Sequence, residues 1–177
     1  MAQTAATALP STVPTPSRAA MAALVGGLLA GAQDLFGASI IYKVPVLRVM
    51  RTVASGLIGR DAAKNGGTTE SMIGLGLHLG ISVAAAGVYV AASRRWPVLT
   101  RLPMALLMGA LFGAAMFVVM NGVVVPLSNA VPPHFNPIPA SFDWISKPAK
   151  ALDFLSNVLF GVIIAAVASL MLKRSRA

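Results

Sequence analysis

The sequence predicts an all-α, polytopic integral membrane protein, a four-helix bundle with an amphipathic interfacial helix between its first and second spans. Three observations carry this. Of the 177 residues, 56% are hydrophobic and only 11% charged, where soluble chains run near 25% charged. Mean hydropathy is +0.78, so most of the surface must face lipid or other helices. The apolar residues also fall in four blocks of roughly 20 or more, enough at about 1.5 Å per residue to cross a hydrocarbon core of about 30 Å. Lipid gives the backbone no hydrogen-bond partner, so each block must be a helix.

In order along the chain, residues 1–17 hold only Ala, Thr, Ser, Pro and a few other uncharged residues. This mixture has little apolar area to bury and repeated helix breakers, and it predicts a disordered tail ahead of a single transmembrane domain over 18–177. The first span covers about 19–42. Arg18, the apolar run and Ala30-Gly31-Ala32 also fit a secretory signal with a small-residue cleavage site. The run continues past that point through Leu35-Phe36 to Ile40-Ile41-Tyr42, as an uncleaved span does.

The connection over 43–70 is too long for a turn. Val46, Leu47, Val49, Met50, Val53, Leu57 and Ile58 recur at helical spacing, with Arg48, Arg51, Thr52 and Ser55 between them. That pattern fits a helix lying among lipid headgroups, with an irregular loop as the alternative. Spans two and three cover about 71–92 and 103–125. The next connection carries Pro126, Pro132, Pro133, Pro137, Pro139 and Pro148, which disfavours helix. Phe135, Phe142 and Trp144 suit it to the membrane interface. The fourth span covers about 151–172.

A net charge of +9 would suggest nucleic acid in a soluble chain. Here the Lys and Arg residues sit between apolar blocks, so the lipid bilayer and its anionic headgroups are the expected partners, and nucleic acid is not. Lys and Arg tie at seven on each side of the predicted membrane. Arg94-Arg95 and Lys173-Arg174 abut span ends in short segments, where the positive-inside rule is strongest, and favour cytoplasmic termini. With no cysteine, disulfides and thiolate chemistry are excluded.

Small residues four apart recur in every span: Gly27 and Gly31, Gly76 and Gly80, Gly109 and Gly113, Gly161 and Ala165. Such grooves let helices approach closely in lipid. Against them stand four polar residues, Asp34, His78, Asn121 and Asn157, each at helical spacing from a small-residue face. Asp34 has Gln33 beside it. Asp34 lies eight residues before Tyr42, His78 eight after Glu70, Asn121 four before Val125 and Asn157 six after Ala151. Alternate spans run in opposite directions, so all four are predicted at depths of roughly 6 to 12 Å from one membrane face. An ionisable group at that depth is costly unless paired. Asp34 with His78 is the candidate pair, either as a proton-linked or small-solute site or as hydrogen-bond glue between helices.

Catalytic readings find little footing. His78 and His134 are the only histidines and lie in a span and a Pro-rich loop, so neither a haem nor a zinc site is expected. No phosphate-binding Gly-rich loop, zinc-protease motif or nucleophile elbow is present. No cofactor or metal is therefore expected, and an enzyme would have to rest on Asp34, His78 and Glu70.

The layout Gly26-Gly-Leu-Leu-Ala-Gly31, Gly76-Leu-His78 with Ala86-Gly-Val-Tyr89, Leu107-Met-Gly-Ala-Leu-Phe-Gly113 with Pro126-Leu, and Ser156-Asn-Val-Leu-Phe160 before Lys173-Arg174 resembles that of the YagU-like family of bacterial inner-membrane proteins. The resemblance spans most of 19–174. It implies a bacterial inner-membrane location, matches His78 to a family histidine, and sets Asn157 where the family shows another. Two functions are expected on these grounds. One is a non-enzymatic accessory, assembly or stress-response protein, alone, as a homo-oligomer or with a membrane partner; the other is a transporter or proton-linked conduit built on Asp34 and His78.

Overall fold

A computed structural model describes residues 15–129 and 148–173. It contains α1 (Pro16–Tyr42), α2 (Val46–Ile58), α3 (Arg60–Asn65), α4 (Thr68–Arg95), α5 (Leu102–Leu127) and α6 (Pro148–Leu172). Among the described residues there is no strand, and α1, α4, α5 and α6 are each long and apolar enough to cross a membrane. The chain is an all-α membrane bundle with an amphipathic helix between its first two spans.

Each helix end has a local cause. Thr15 caps α1 by accepting the Arg18 N–H, and Pro16 follows in the first turn, where its missing N–H costs nothing. Residues 16 and 17 are therefore helical, correcting their assignment to the tail; residues 1–14 lie outside the described residues. Lys43 ends α1 in the left-handed conformation at φ 52°. Its N–H bonds the Ile40 carbonyl and the Val44 N–H that of Ser39, after which Pro45 turns the chain into α2. The Glu70 carboxylate caps the start of α4 by accepting the Gly67 N–H at 2.6 Å.

Near its end α5 widens into a π turn over Met120–Val124, with the Val125 N–H reaching back to Met120. Pro126 explains the turn: it has no N–H to offer the preceding turn, and its ring pushes the facing carbonyl aside. The Pro-rich connection over 130–147, with Phe135, Phe142 and Trp144, lies outside the described residues. Residues 148–150, read from the sequence as the end of that connection, form the first turn of α6, so this span starts earlier than its apolar block.

The bundle is held by close backbone approach. α6 packs along both α1 and α5, and α4 packs along α1. A Cβ built at Gly113 would collide with the Asn157 carbonyl, and one at Gly109 would sit 2.6 Å from the Ala165 Cβ, so the predicted Gly109, Gly113, Gly161 and Ala165 groove is the α5–α6 contact. At Gly27 the added Cβ would lie 2.5 Å from the Val83 Cα, which makes Gly27 and Gly31 the α1–α4 contact. The second-span pair behaves differently. Nothing approaches Gly76 or Gly80, and the packed face of α4 is instead Gly74, Ser82, Ala85 and Ala86. α4 and α5 meet through Tyr89, whose ring sits edge-on to Phe112 and whose hydroxyl donates to the Ala105 carbonyl at 3.2 Å.

α2 runs across one end of this bundle. Its Met50 backbone crowds Gly74 of α4, Ser71 Oγ donates to the Leu47 carbonyl, and at its far end Gly56 and Leu57 accept from Asn129, just beyond α5. It thus links the end of α1 with the start of α4 and the end of α5.

Candidate functional site

Below α2 the four spans bring their polar side chains to one end of the bundle. Asp34 and His78 meet across the α1–α4 contact, with Asp34 Oδ2 4.0 Å from His78 Nε2 and side chains 23% and 15% exposed. Gly31 makes this possible. A side chain there would strike Ser82, and its absence lets His78 Nε2 reach the Gly31 carbonyl at 2.9 Å. A carbonyl only accepts, so Nε2 carries the proton, and Asp34 faces the same N–H edge. Ser82 Oγ in turn donates to the His78 carbonyl at 2.7 Å.

On its other flank Asp34 meets α6. Buried Ser156 donates to Asp34 Oδ1 at 3.3 Å and accepts from Gln33 Nε2 at 2.9 Å. Gly37 leaves room for this hydroxyl, since a Cβ there would lie 2.8 Å from Ser156 Oγ. Among the described residues, Gln33 Oε1 is buried without a partner. One turn nearer the membrane face, Tyr42 donates to Asp153 Oδ2 at 3.0 Å. Asp34 lies within electrostatic reach of both His78 and Asp153, and Asp153 within that of Lys150.

The remaining two predicted residues bond to other partners. Asn121, on the π turn of α5, accepts from Lys150 Nζ at 3.1 Å and donates to the Phe117 carbonyl. Asn157 donates to the Asp153 carbonyl of its own helix at 3.0 Å. Among the described residues, neither Asn121 nor Asn157 hydrogen-bonds to Asp34 or His78.

Four participants escape the sequence reading: Tyr42, Lys150, Asp153 and Ser156. Asp153 carried a usable signal, because it is a carboxylate within the block 151–172 and near the same face as Asp34. Lys150 was hidden by its assignment to a loop, and Tyr42 and Ser156 by the ordinariness of hydroxyls in spans.

Chemically, the layer can tie α1 to α4 and α6 and α5 to α6, and it can hold a proton between Asp34 and His78. Among the described residues no group of three His, Asp or Glu side chains could hold a metal ion. Comparison of the chain with protein-family models, with curated proteins and with solved structures returned no match, so its function rests on its own residues.

Proposed function

We propose that this chain is a small non-enzymatic inner-membrane protein of accessory, assembly or stress-response type, in which the polar layer fixes the arrangement of the spans. The observation that carries the reading is the mutual engagement of the layer: Gln33, Asp34 and Ser156, Tyr42 and Asp153, and Asn121 and Lys150 join neighbouring helices side chain to side chain. Groups so engaged make interhelical bonds, which lipid favours over leaving them unpaired. The resemblance to the YagU-like family supports a bacterial inner membrane, and Arg94, Arg95 and Lys173 at the ends of α4 and α6 support cytoplasmic termini.

A second reading, a proton-linked conduit, draws on the Asp34–His78 approach and on the unpartnered Gln33 Oε1. One experiment separates the two. Asp34→Asn and His78→Gln are purified, their unfolding midpoints measured, and each is reconstituted in vesicles carrying a pH-sensitive dye. The scaffold reading expects lowered stability and proton flux at the protein-free background for wild type and variants alike. Wild-type flux abolished in a normally stable Asp34→Asn protein would overturn it.

A further inference from the structure

Away from the polar layer, the outer side of α2 carries a second arrangement that the scaffold role leaves unused. Arg51, Ser55, Arg48 and Thr52 occupy one continuous arc of this helix, since residues three, four and seven apart share a face. Gly59 then holds φ 86° and ψ 157°, a backbone conformation essentially restricted to glycine. This bend sets α3 so that Arg60 and Lys64 line one cavity of about 930 Å³ with Arg48 and Arg51. Among the described residues, its lining holds four cations and one carboxylate, Asp61, with Glu70 also within electrostatic reach of Arg51.

The hydrogen-bonding capacity of the cavity suits an anion. Thr52 and Ser55 donate to carbonyls of their own helix, so the free donors are the cations. Arg51 gives one N–H to the Gly66 carbonyl at 2.5 Å, which fixes its guanidinium while leaving others of its five N–H groups available. Among the described residues, Arg48, Arg60 and Lys64 form no salt bridge. Guanidinium forks match phosphate oxygens two at a time, and ammonium adds a point charge.

What lies beside the cavity indicates the source of the phosphate. Val125 of α5 lines it, and the end of α5 is an open apolar strip, with Val123 49% and Leu127 71% exposed. Leu57 on α2 is also exposed. A molecule with phosphate at one end and hydrocarbon at the other meets both surfaces at once.

We infer that the cleft between α2 and α3 is a binding site for the phosphate headgroup of an anionic membrane lipid, with Arg48, Arg51, Arg60 and Lys64 as its donors and the end of α5 as the track for its acyl chains. The inference is independent of the role proposed for the polar layer.

The test compares three full-length proteins by native mass spectrometry after equilibration in phosphatidylglycerol or phosphatidylcholine nanodiscs: wild type, Arg48→Gln/Lys64→Gln, and Arg94→Gln/Arg95→Gln. The last removes equal charge at the opposite end of α4. Wild type is expected to retain a phosphatidylglycerol adduct and not a phosphatidylcholine one. The cleft pair should weaken retention roughly thirtyfold, the combined attraction that two surface cations give an anionic lipid, and the distal pair should change it less than about twofold. Unfolding midpoints identify any misfolded variant, and Arg60→Gln, at the cleft rim, then replaces the failed pair. Equal losses from both pairs, or equal retention of both lipids, would overturn the site. So would displacement of the bound lipid by millimolar inorganic phosphate, which would assign the cleft to a free anion.

Discussion

Ser156→Ala removes one oxygen atom from the bundle and tests the layer at its branching point. The hydroxyl is buried, donates to Asp34 at 3.3 Å and accepts from Gln33 at 2.9 Å, and alanine fills nearly the same space. Interhelical side-chain bonds in membranes average about 0.6 kcal/mol and reach about 1.7 kcal/mol, so the two lost bonds account for roughly 1 to 3 kcal/mol. The upper part of that range is expected. Gln33 Oε1 already lacks a partner, and the substitution leaves the amide nitrogen unpaired as well. Gln33→Leu removes this orphaned amide, so Ser156→Ala should cost about 1 kcal/mol less in a Gln33→Leu background than in wild type. The assay is reversible unfolding in mixed micelles with denaturing detergent, followed by circular dichroism. Ser93→Ala is the control: Ser93 is also buried, but among the described residues its hydroxyl bonds only the Tyr89 carbonyl of its own helix, and its loss should be about 0.5 kcal/mol or less. Equal costs at positions 156 and 93, or additivity with Gln33→Leu, would refute the claim that α6 is tied to α1 through this hydroxyl.

Two further contrasts follow from the same geometry. Gly113→Ala drives a methyl into the Asn157 carbonyl, whereas Gly76→Ala meets nothing within 4 Å; unfolding free energies should fall by about 1 to 3 kcal/mol for the first and stay level or rise for the second. Gly59→Ala should cost about 1 to 3 kcal/mol through backbone strain alone, since its φ is 86° and its surroundings are empty. Gly56→Ala, three residues earlier and inside α2 with only ordinary contacts to Ser128, should gain about 0.5 to 1 kcal/mol, so the two midpoints should move in opposite directions.

The spans and α2 are legible in the sequence because both follow from the period and length of apolar runs, quantities that need no knowledge of neighbours. The Asp34–His78 approach is legible for a related reason: depth can be counted from span ends, and a carboxylate in lipid must find a partner. Rotation about each helix axis is harder. Gly76 and Gly80 have the same spacing as Gly109 and Gly113, yet α4 turns its Gly74, Ser82 and Ala86 edge inward because α1 and α2 dock there. The bonding of Asn121 and Asn157 is hidden for the same cause, since an amide that can bond its own helix backbone four residues away gives no sign of its partner. Lys150 shows the effect of a boundary. Counting Pro148 as loop moved its ammonium out of the bundle, whereas a proline in the first helical turn brings it to Asn121.

The position of α6 has a consequence for biogenesis. It is the last of the four spans to leave the ribosome, yet it alone packs along both α1 and α5. Until it enters the bilayer, α1 and α5 are joined only through the lighter contacts of α2 and α4 with α5, and the hydroxyls and amides awaiting it on α1 and α5 stand open to lipid. A nascent chain stalled before residue 148 would thus expose to lipid the polar groups that α6 otherwise engages.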